Sequence, residues 1–138
     1  FCKFEASAGQ VCIVPGSDGA PALGLVGLGE RADATAFRAL PGKLPAGDWW
    51  IADQPASLDP QACAVQWGLG AYRFDRYKKK RGEPWPRLVV SDAVDLAEAR
   101  LIAHACALAR DMVNTPANDM GPRQIESIAA PSWQAEVA

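Results

Sequence analysis

Arg87-Leu88-Val89-Val90-Ser91-Asp92-Ala93-Val94-Asp95-Leu96-Ala97 contains the change of hydrophobic period on which the fold class turns. Arg87 to Val90 is apolar and β-branched, is released by Pro86, and reads as a strand. Ser91-Asp92 offers a helix cap. From there Val94, Ala97, Leu101, Ala105, Leu108 and Met112 recur 3, 4, 4, 3 and 4 positions apart, with Ile102, Cys106, Ala109 and Val113 as a second line beside them. So wide an apolar arc predicts a long helix buried on more than one side, and its alanines permit close approach of a neighbour.

The same alternation of strand and helix runs upstream. Val11-Cys12-Ile13-Val14-Pro15 is a short β-rich run ended by the turn cluster Gly16-Ser17-Asp18-Gly19. Pro21 to Gly29 is almost continuously apolar, which predicts a strand buried on both faces. Asp33 caps a short helix through Leu40, stopped by Pro41-Gly42, and Asp48 to Ala52 rises from a turn as an aromatic strand. Asp59-Pro60 opens a helix expected to run to about Lys80, with Val65, Leu69 and Tyr72 on one apolar line and Trp67, Phe74 and Tyr77 on another. Gly68 and Gly70 cost such a helix about 1 kcal/mol each relative to alanine, which a closely approaching backbone would explain. Downstream, the long helix should break before Pro116, and Pro122 sits where a first-turn proline belongs for a helix from Arg123 to Ala129, which Pro131 interrupts. The fold class is α/β, without repeats.

A chain of 138 residues, 49% apolar and 22% charged, has the composition of one globular domain and is long enough to bury a core without disulfides or a structural metal. A net charge of −2 supplies no global attraction for nucleic acid or anionic membrane. The apolar stretches fall far short of the ~20 residues that span a bilayer, so a cytoplasmic location is expected. Phe1 is not an initiator methionine, and the carboxyl end carries no capping signal, so sequence is expected to be missing on both sides. Cys2, Cys12, Cys63 and Cys106 lie 10, 51 and 43 positions apart, without the spacing of a zinc knuckle or redox dithiol, and read as reduced, buried thiols.

Residues that invite a catalytic or binding reading have blander explanations. Gly24, Gly27 and Gly29 form G-x-x-G-x-G, which is not the dinucleotide fingerprint and suits close packing and a loop exit. Asp92, Asp95 and Glu98 crowd the first turns of the long helix, where the helix dipole favours acids. His104, the single histidine, has no ligand partners at metal-binding spacing and is expected to face solvent or an interface. Asn114 and Asn118, between prolines, suit a turn, and Arg110 suits neutralising helix carbonyls or pairing across an interface. Lys78-Lys79-Lys80-Arg81, preceded by Arg73 and Arg76 among Tyr72, Phe74 and Tyr77, could touch phosphates, but cations at a helix carboxyl end are favoured in any case.

Two stretches resemble a known family. Trp67-Gly68-Leu69-Gly70-Ala71-Tyr72-Arg73-Phe74-Asp75-Arg76-Tyr77 is similar to the W-x-L-G-x-Y-x-F-x-x-Y helix of M17 leucyl aminopeptidases. Ala109-Arg110-Asp111-Met112-Val113-Asn114-Thr115-Pro116-Ala117-Asn118-Asp119-Met120-Gly121-Pro122 resembles that family's hinge, departing at Met112, where leucine is usual. The likeness is weak before Asp48 and close from Trp67 to Pro122.

It implies a macro-domain-like sheet flanked by helices over residues 1–113, including a long connecting helix. Residues 114–138 would be the hinge and the start of a catalytic domain. In the family that later domain binds two divalent ions, commonly zinc, manganese or magnesium, and releases amino-terminal residues from peptides. Its ligand motifs, N-T-D-A-E-G-R among them, are absent here. The resemblance therefore implies no catalytic, cofactor-binding or metal-binding residue in this stretch, and a fragment inactive alone. Its expected role is support of the family's hexamer and of access to the active site, with the catalytic domain as partner. A nucleotide such as ADP-ribose, or nucleic acid held by Arg73 to Arg81, is the alternative ligand.

Overall fold

The computed structural model describes residues 3–78 and 84–128. Strands β1 (Val11–Pro15) and β2 (Pro21–Val26) form an antiparallel hairpin in which Val11 faces Val26 and Ile13 faces Gly24. Its turn is closed by the Gly16 amide donating to the Ala20 carbonyl at 2.7 Å, and Gly19 takes φ +77°, which favours glycine. A 3-10 helix follows over Ala34–Ala39, capped by Asp33, whose carboxylate accepts from the Thr35 amide at 2.8 Å. That backbone bond holds the Asp33 carboxyl below its usual range. Strands β3 (Gly47–Trp49) and β4 (Pro86–Leu88) form a second, parallel pair. On it the Arg87 guanidinium grips the Asp48 carboxylate through two bonds of 2.7 and 3.1 Å.

Helix α1 (Pro60–Gly70) and helix α2 (Leu96–Asn114) complete the named elements, and residues 122–128 are helical. Asp59 caps α1 with proline at the first helical position, as expected from Asp59-Pro60. Both sheets rest on one buried cluster of Phe37, Leu40, Leu44, Leu58, Cys63 and Trp67, against which Val11 and Val26 pack from the first sheet and Trp49 and Leu88 from the second. Burial of each large side chain in this cluster contributes roughly 1.5–3 kcal/mol.

The class is mixed α/β, but among the described residues the strands form two small sheets and not one. Several expectations are corrected. The 21–29 run is not buried on both faces: Leu23 and Leu25 are 45% and 37% exposed. Helix α1 stops at Gly70, ten residues before Lys80, and Phe74 and Tyr77 lie in a non-helical segment. A Cβ on Gly70 would overlap the Arg38 carbonyl, so the 3-10 helix seats against the end of α1 where glycine allows it. The strands expected at Asp48 to Ala52 and Arg87 to Val90 are shortened to Gly47–Trp49 and Pro86–Leu88.

The cap of α2 is Asp95 and not Ser91-Asp92. Asp95 accepts from the Glu98 amide at 3.0 Å, while Gln61 of α1 accepts from the Asp95 amide at 2.9 Å and donates to the Glu98 carboxylate at 2.8 Å. This contact across the two helices selects the later start. The largest correction concerns the buried face of α2. The line through Leu101 and Leu108 is exposed, Leu101 to 71%, and the packed side is that of Ala99 and Ala103. A Cβ on Gly68 would lie 2.8 Å from the Ala103 methyl, so the helices meet glycine to alanine. Small residues allow this approach, and the bulky line is left on the far side of α2.

Candidate interdomain hinge

The carboxyl end of α1, the loop after it and the end of α2 converge in one polar cluster. α2 ends at Asn114, as Pro116 dictates, and Thr115 closes it: its amide and its hydroxyl both donate to the Asp111 carbonyl, at 3.0 and 2.6 Å. Thr115 is buried, and its Oγ1 also accepts from Arg76 at 3.4 Å. The Tyr72 hydroxyl donates to the Asp111 carboxylate at 2.8 Å and accepts from the Asn114 amide at 3.0 Å. Arg110 donates to the Leu69 carbonyl at 2.8 Å and stands over the Tyr72 ring at 5.3 Å. A cation there meets the negative end of α1, where the free carbonyls lie. The Tyr77 hydroxyl donates to the Asp119 carboxylate, which fixes the turn closed by the Asp119 amide on the Pro116 carbonyl at 2.8 Å.

Both phenols are held in their neutral form. Desolvation, with the bond to Asp111, pushes Tyr72 above its ordinary value against the opposing pull of Asn114 and Arg110. For Tyr77 the bond to Asp119 is the leading cause of a rise. Ionising either phenol would set a phenolate against a carboxylate. The arrangement is a mechanical lock that sets how α2 and the following turn leave α1.

The structure places the residues singled out in the sequence as follows. Asn114 is a member of this lock and not a turn former, while the turn itself lies just beyond, at 117–119. Arg110 serves the carbonyls of α1 and not those of its own helix. Asp95 and Glu98 are occupied in capping, Asp92 lies exposed ahead of the helix, and His104 is exposed. Among the described residues no group of three or more His, Cys, Asp or Glu is arranged to hold a metal ion. Cys63 is buried, its thiol pushed up by desolvation and then by Asp59, while Cys12 and Cys106 are half-buried and Cys2 lies outside the described residues.

Arg73 stacks on the Trp85 ring at 4.4 Å and Arg76 on Tyr77 at 5.9 Å, so both contact protein. Lys79 to Arg81 fall outside the described residues. In the glycine run, the Gly27 amide donates to Gln10 at 2.7 Å and the Gly29 amide to Ala6 at 3.0 Å, which engages donors a phosphate cradle would need. Tyr72, Asp111, Tyr77 and Asp119 were not foreseen as partners, because they pair across about forty positions of sequence. The available signal was a tyrosine, with a polar tip, on an otherwise apolar line.

Comparison with known proteins agrees with this geometry. A family model described as M17 aminopeptidase, N-terminal domain, matches residues 2–91. A probable cytosol aminopeptidase of Leifsonia xyli subsp. xyli is 34% identical over 146 aligned positions, covering 92% of this chain and 29% of the relative. One from Corynebacterium glutamicum is 31% identical, covering 91% and 28%. The crystal structure of a cytosol aminopeptidase from Coxiella burnetii superposes with a TM-score of 0.76 at 29% identity over 91% of this chain and 27% of that one. The bottromycin maturation enzyme BotP in complex with Mn gives 0.66 at 33% identity, over 91% and 30%. The chain thus spans under a third of the length of these relatives, and the two motifs that pair in the lock are those that resemble the family. The chain belongs to the M17 aminopeptidase family and carries that family's N-terminal domain.

Proposed function

We propose that this chain is the non-catalytic N-terminal domain of a cytosolic, metal-dependent leucyl aminopeptidase and that the outer face of α2 seats the catalytic domain. The observation that carries this reading is the unpartnered apolar surface of α2. Leu101 is 71% exposed and Leu108 37%, on the arc turned away from α1, and Val113, 84% exposed, stands on the flank near the end of the helix. A face of this kind marks an interaction surface when it is contiguous. It ends at the Tyr72–Asp111–Asn114 lock, so the segment beyond leaves the domain in a set direction. In this reading α2, which packs on α1 through Ala103 and Gly68, belongs to the N-terminal domain, and the boundary with the catalytic domain is taken at 113–114.

In this reading the parent enzyme releases amino-terminal residues from peptides, using two divalent ions bound by the catalytic domain. The N-terminal domain supports a hexamer and frames access to the active site. Among the described residues no helix is long and apolar enough to cross a membrane.

The test compares the 138-residue chain with the full-length protein that contains it, both reconstituted with manganese or zinc, on a leucine anilide. Turnover is expected from the full-length protein alone. Leu101→Arg combined with Leu108→Arg should weaken the full-length enzyme's assembly and lower its melting temperature while leaving the isolated chain's stability unchanged. Metal-dependent turnover by the purified isolated chain, or a full-length double variant as stable and as well assembled as its parent, would overturn the reading.

A further inference from the structure

The chain leaves α2 through a turn that no apolar burial holds. Residues 116–119 are exposed, and the helix that follows begins at 122. Pro116 and Pro122 carry no backbone N–H with which to anchor the segment. The path from one helix to the next is therefore set by the polar contacts that grip it.

Arg76 and Tyr77, adjacent in sequence, hold the two ends of this turn. Arg76 donates to the Thr115 hydroxyl at 3.4 Å, and the Tyr77 hydroxyl donates to the Asp119 carboxylate. Between those points the Asp119 amide closes on the Pro116 carbonyl at 2.8 Å. Past Asp119, Met120 alone intervenes before Gly121, whose amide donates to the Gln124 side chain at 3.1 Å. This is the reciprocal bond of a capping box, with Pro122 in the first turn, so the helix over 122–128 starts in the direction in which the clamp leaves the chain.

The donor is itself held in place. The Lys78 amide donates to the Asp75 carbonyl at 3.1 Å, the Phe74 ring meets the Tyr77 ring edge-on at 5.8 Å, and the Arg76 guanidinium stands 5.9 Å from it. A side chain positioned in this way loses little rotamer freedom when it bonds. Tyr77 is 53% exposed, so core packing does not account for its placement. Its bond to Asp119 spans 42 positions and, of the contacts in this cluster, reaches furthest past the boundary at 113–114.

We propose that Tyr77, acting through Asp119, is a positioning residue of the parent aminopeptidase: it fixes the angle at which the catalytic domain leaves the N-terminal domain, and thereby the admission of long peptides to the active site. The inference rests on the reading of the chain as the N-terminal domain of a longer enzyme that frames access to that site. A short substrate is contained by the catalytic domain, whereas a long one also has to pass the N-terminal domain. Substrate length is therefore what senses the angle.

The test uses the full-length, manganese-loaded protein and its Tyr77→Phe, Asp119→Ala and doubly substituted forms, with leucine anilide and a long peptide beginning with leucine as substrates. Losing a hydrogen bond to a charged acceptor shifts an equilibrium by roughly tenfold or more. Tyr77→Phe should therefore raise KM for the long peptide by about tenfold and leave kcat and KM for the anilide unchanged. Asp119→Ala should do the same, and the double form should be no worse than either single one, because both remove one bond. Asp119→Asn keeps an acceptor oxygen and should stay close to the parent protein. Amide hydrogen exchange at Asp119 should also quicken in Tyr77→Phe. Equal losses on both substrates, an unchanged KM for the long peptide, additive losses in the double form, or an Asp119 amide as protected as before would each overturn the proposal. If the unsubstituted full-length protein turns over neither substrate, the aminopeptidase reading fails and the role in peptide admission with it, while Asp119 exchange still decides whether Tyr77 holds the turn.

Discussion

Gly70→Ala is expected to weaken the domain where a helix-propensity scale says it should strengthen it. Alanine inside a helix is favoured over glycine by about 1 kcal/mol, which is the most that Gly70, the last residue of α1, could gain. The added methyl, however, would be driven into the backbone of Arg38, overlapping its carbonyl and crowding its Cα at 2.9 Å. A backbone held in the 3-10 helix cannot rotate aside as a side chain can, so the cost sits at or above the upper end of the roughly 1–3 kcal/mol typical of overpacking. The net expectation is a loss of about 2 kcal/mol, equivalent to a fall in melting temperature of roughly 6–10 °C for a domain of this size.

Two companion variants separate the causes. Gly68→Ala meets the Ala103 methyl at 2.8 Å, a contact that a small shift of α2 relieves, so steric cost and propensity gain should nearly cancel. Gly42→Ala meets nothing within 4 Å and should be neutral or slightly stabilising. Urea midpoints read by far-ultraviolet circular dichroism give the ranking. A Gly70→Ala variant as stable as the parent chain would refute the claimed contact between the end of α1 and the 3-10 helix.

Leu101→Ala in the isolated chain should change stability by less than about 0.5 kcal/mol, since the side chain is mostly in water, whereas Trp67→Ala should cost about 3–5 kcal/mol; equal urea shifts would show that the packed face of α2 is misassigned. Tyr72 and Tyr77 are the two tyrosines of the chain, so tyrosinate absorbance reports on the lock alone. Because folding raises both values above the ordinary 10.0, the lock's contribution is complete below pH 10 and is lost as pH rises through the higher folded values. A titration midpoint in the folded chain at or below that of the urea-unfolded chain contradicts it. Cys63, buried and with its thiol pushed up, should react with a disulfide reagent only on unfolding, and later than Cys12 and Cys106; native-state labelling at Cys63 as fast as at those two would contradict the core assignment.

The sequence by itself determined the local punctuation and the family. Asp59-Pro60 starts α1, Asp33 caps the 3-10 helix and Pro116 ends α2, because caps and prolines act through neighbouring backbone groups and need no tertiary partner. The two motifs around Trp67 and Asn114 named the family before any contact between them was visible. Glycines at 68 and 70 signalled close approach, though not by what. Only the tertiary structure decided which face of α2 is covered. Periodicity marks an apolar face but does not say whether its partner lies in the same domain. Here the small side, Ala99 and Ala103, meets α1 because helices approach closest where side chains are smallest, and Leu101 and Leu108 are left exposed. The end of α1 at Gly70 and the pairing of Tyr72 with Asp111 and Asn114 were likewise set by contacts about forty residues apart, which no local pattern encodes.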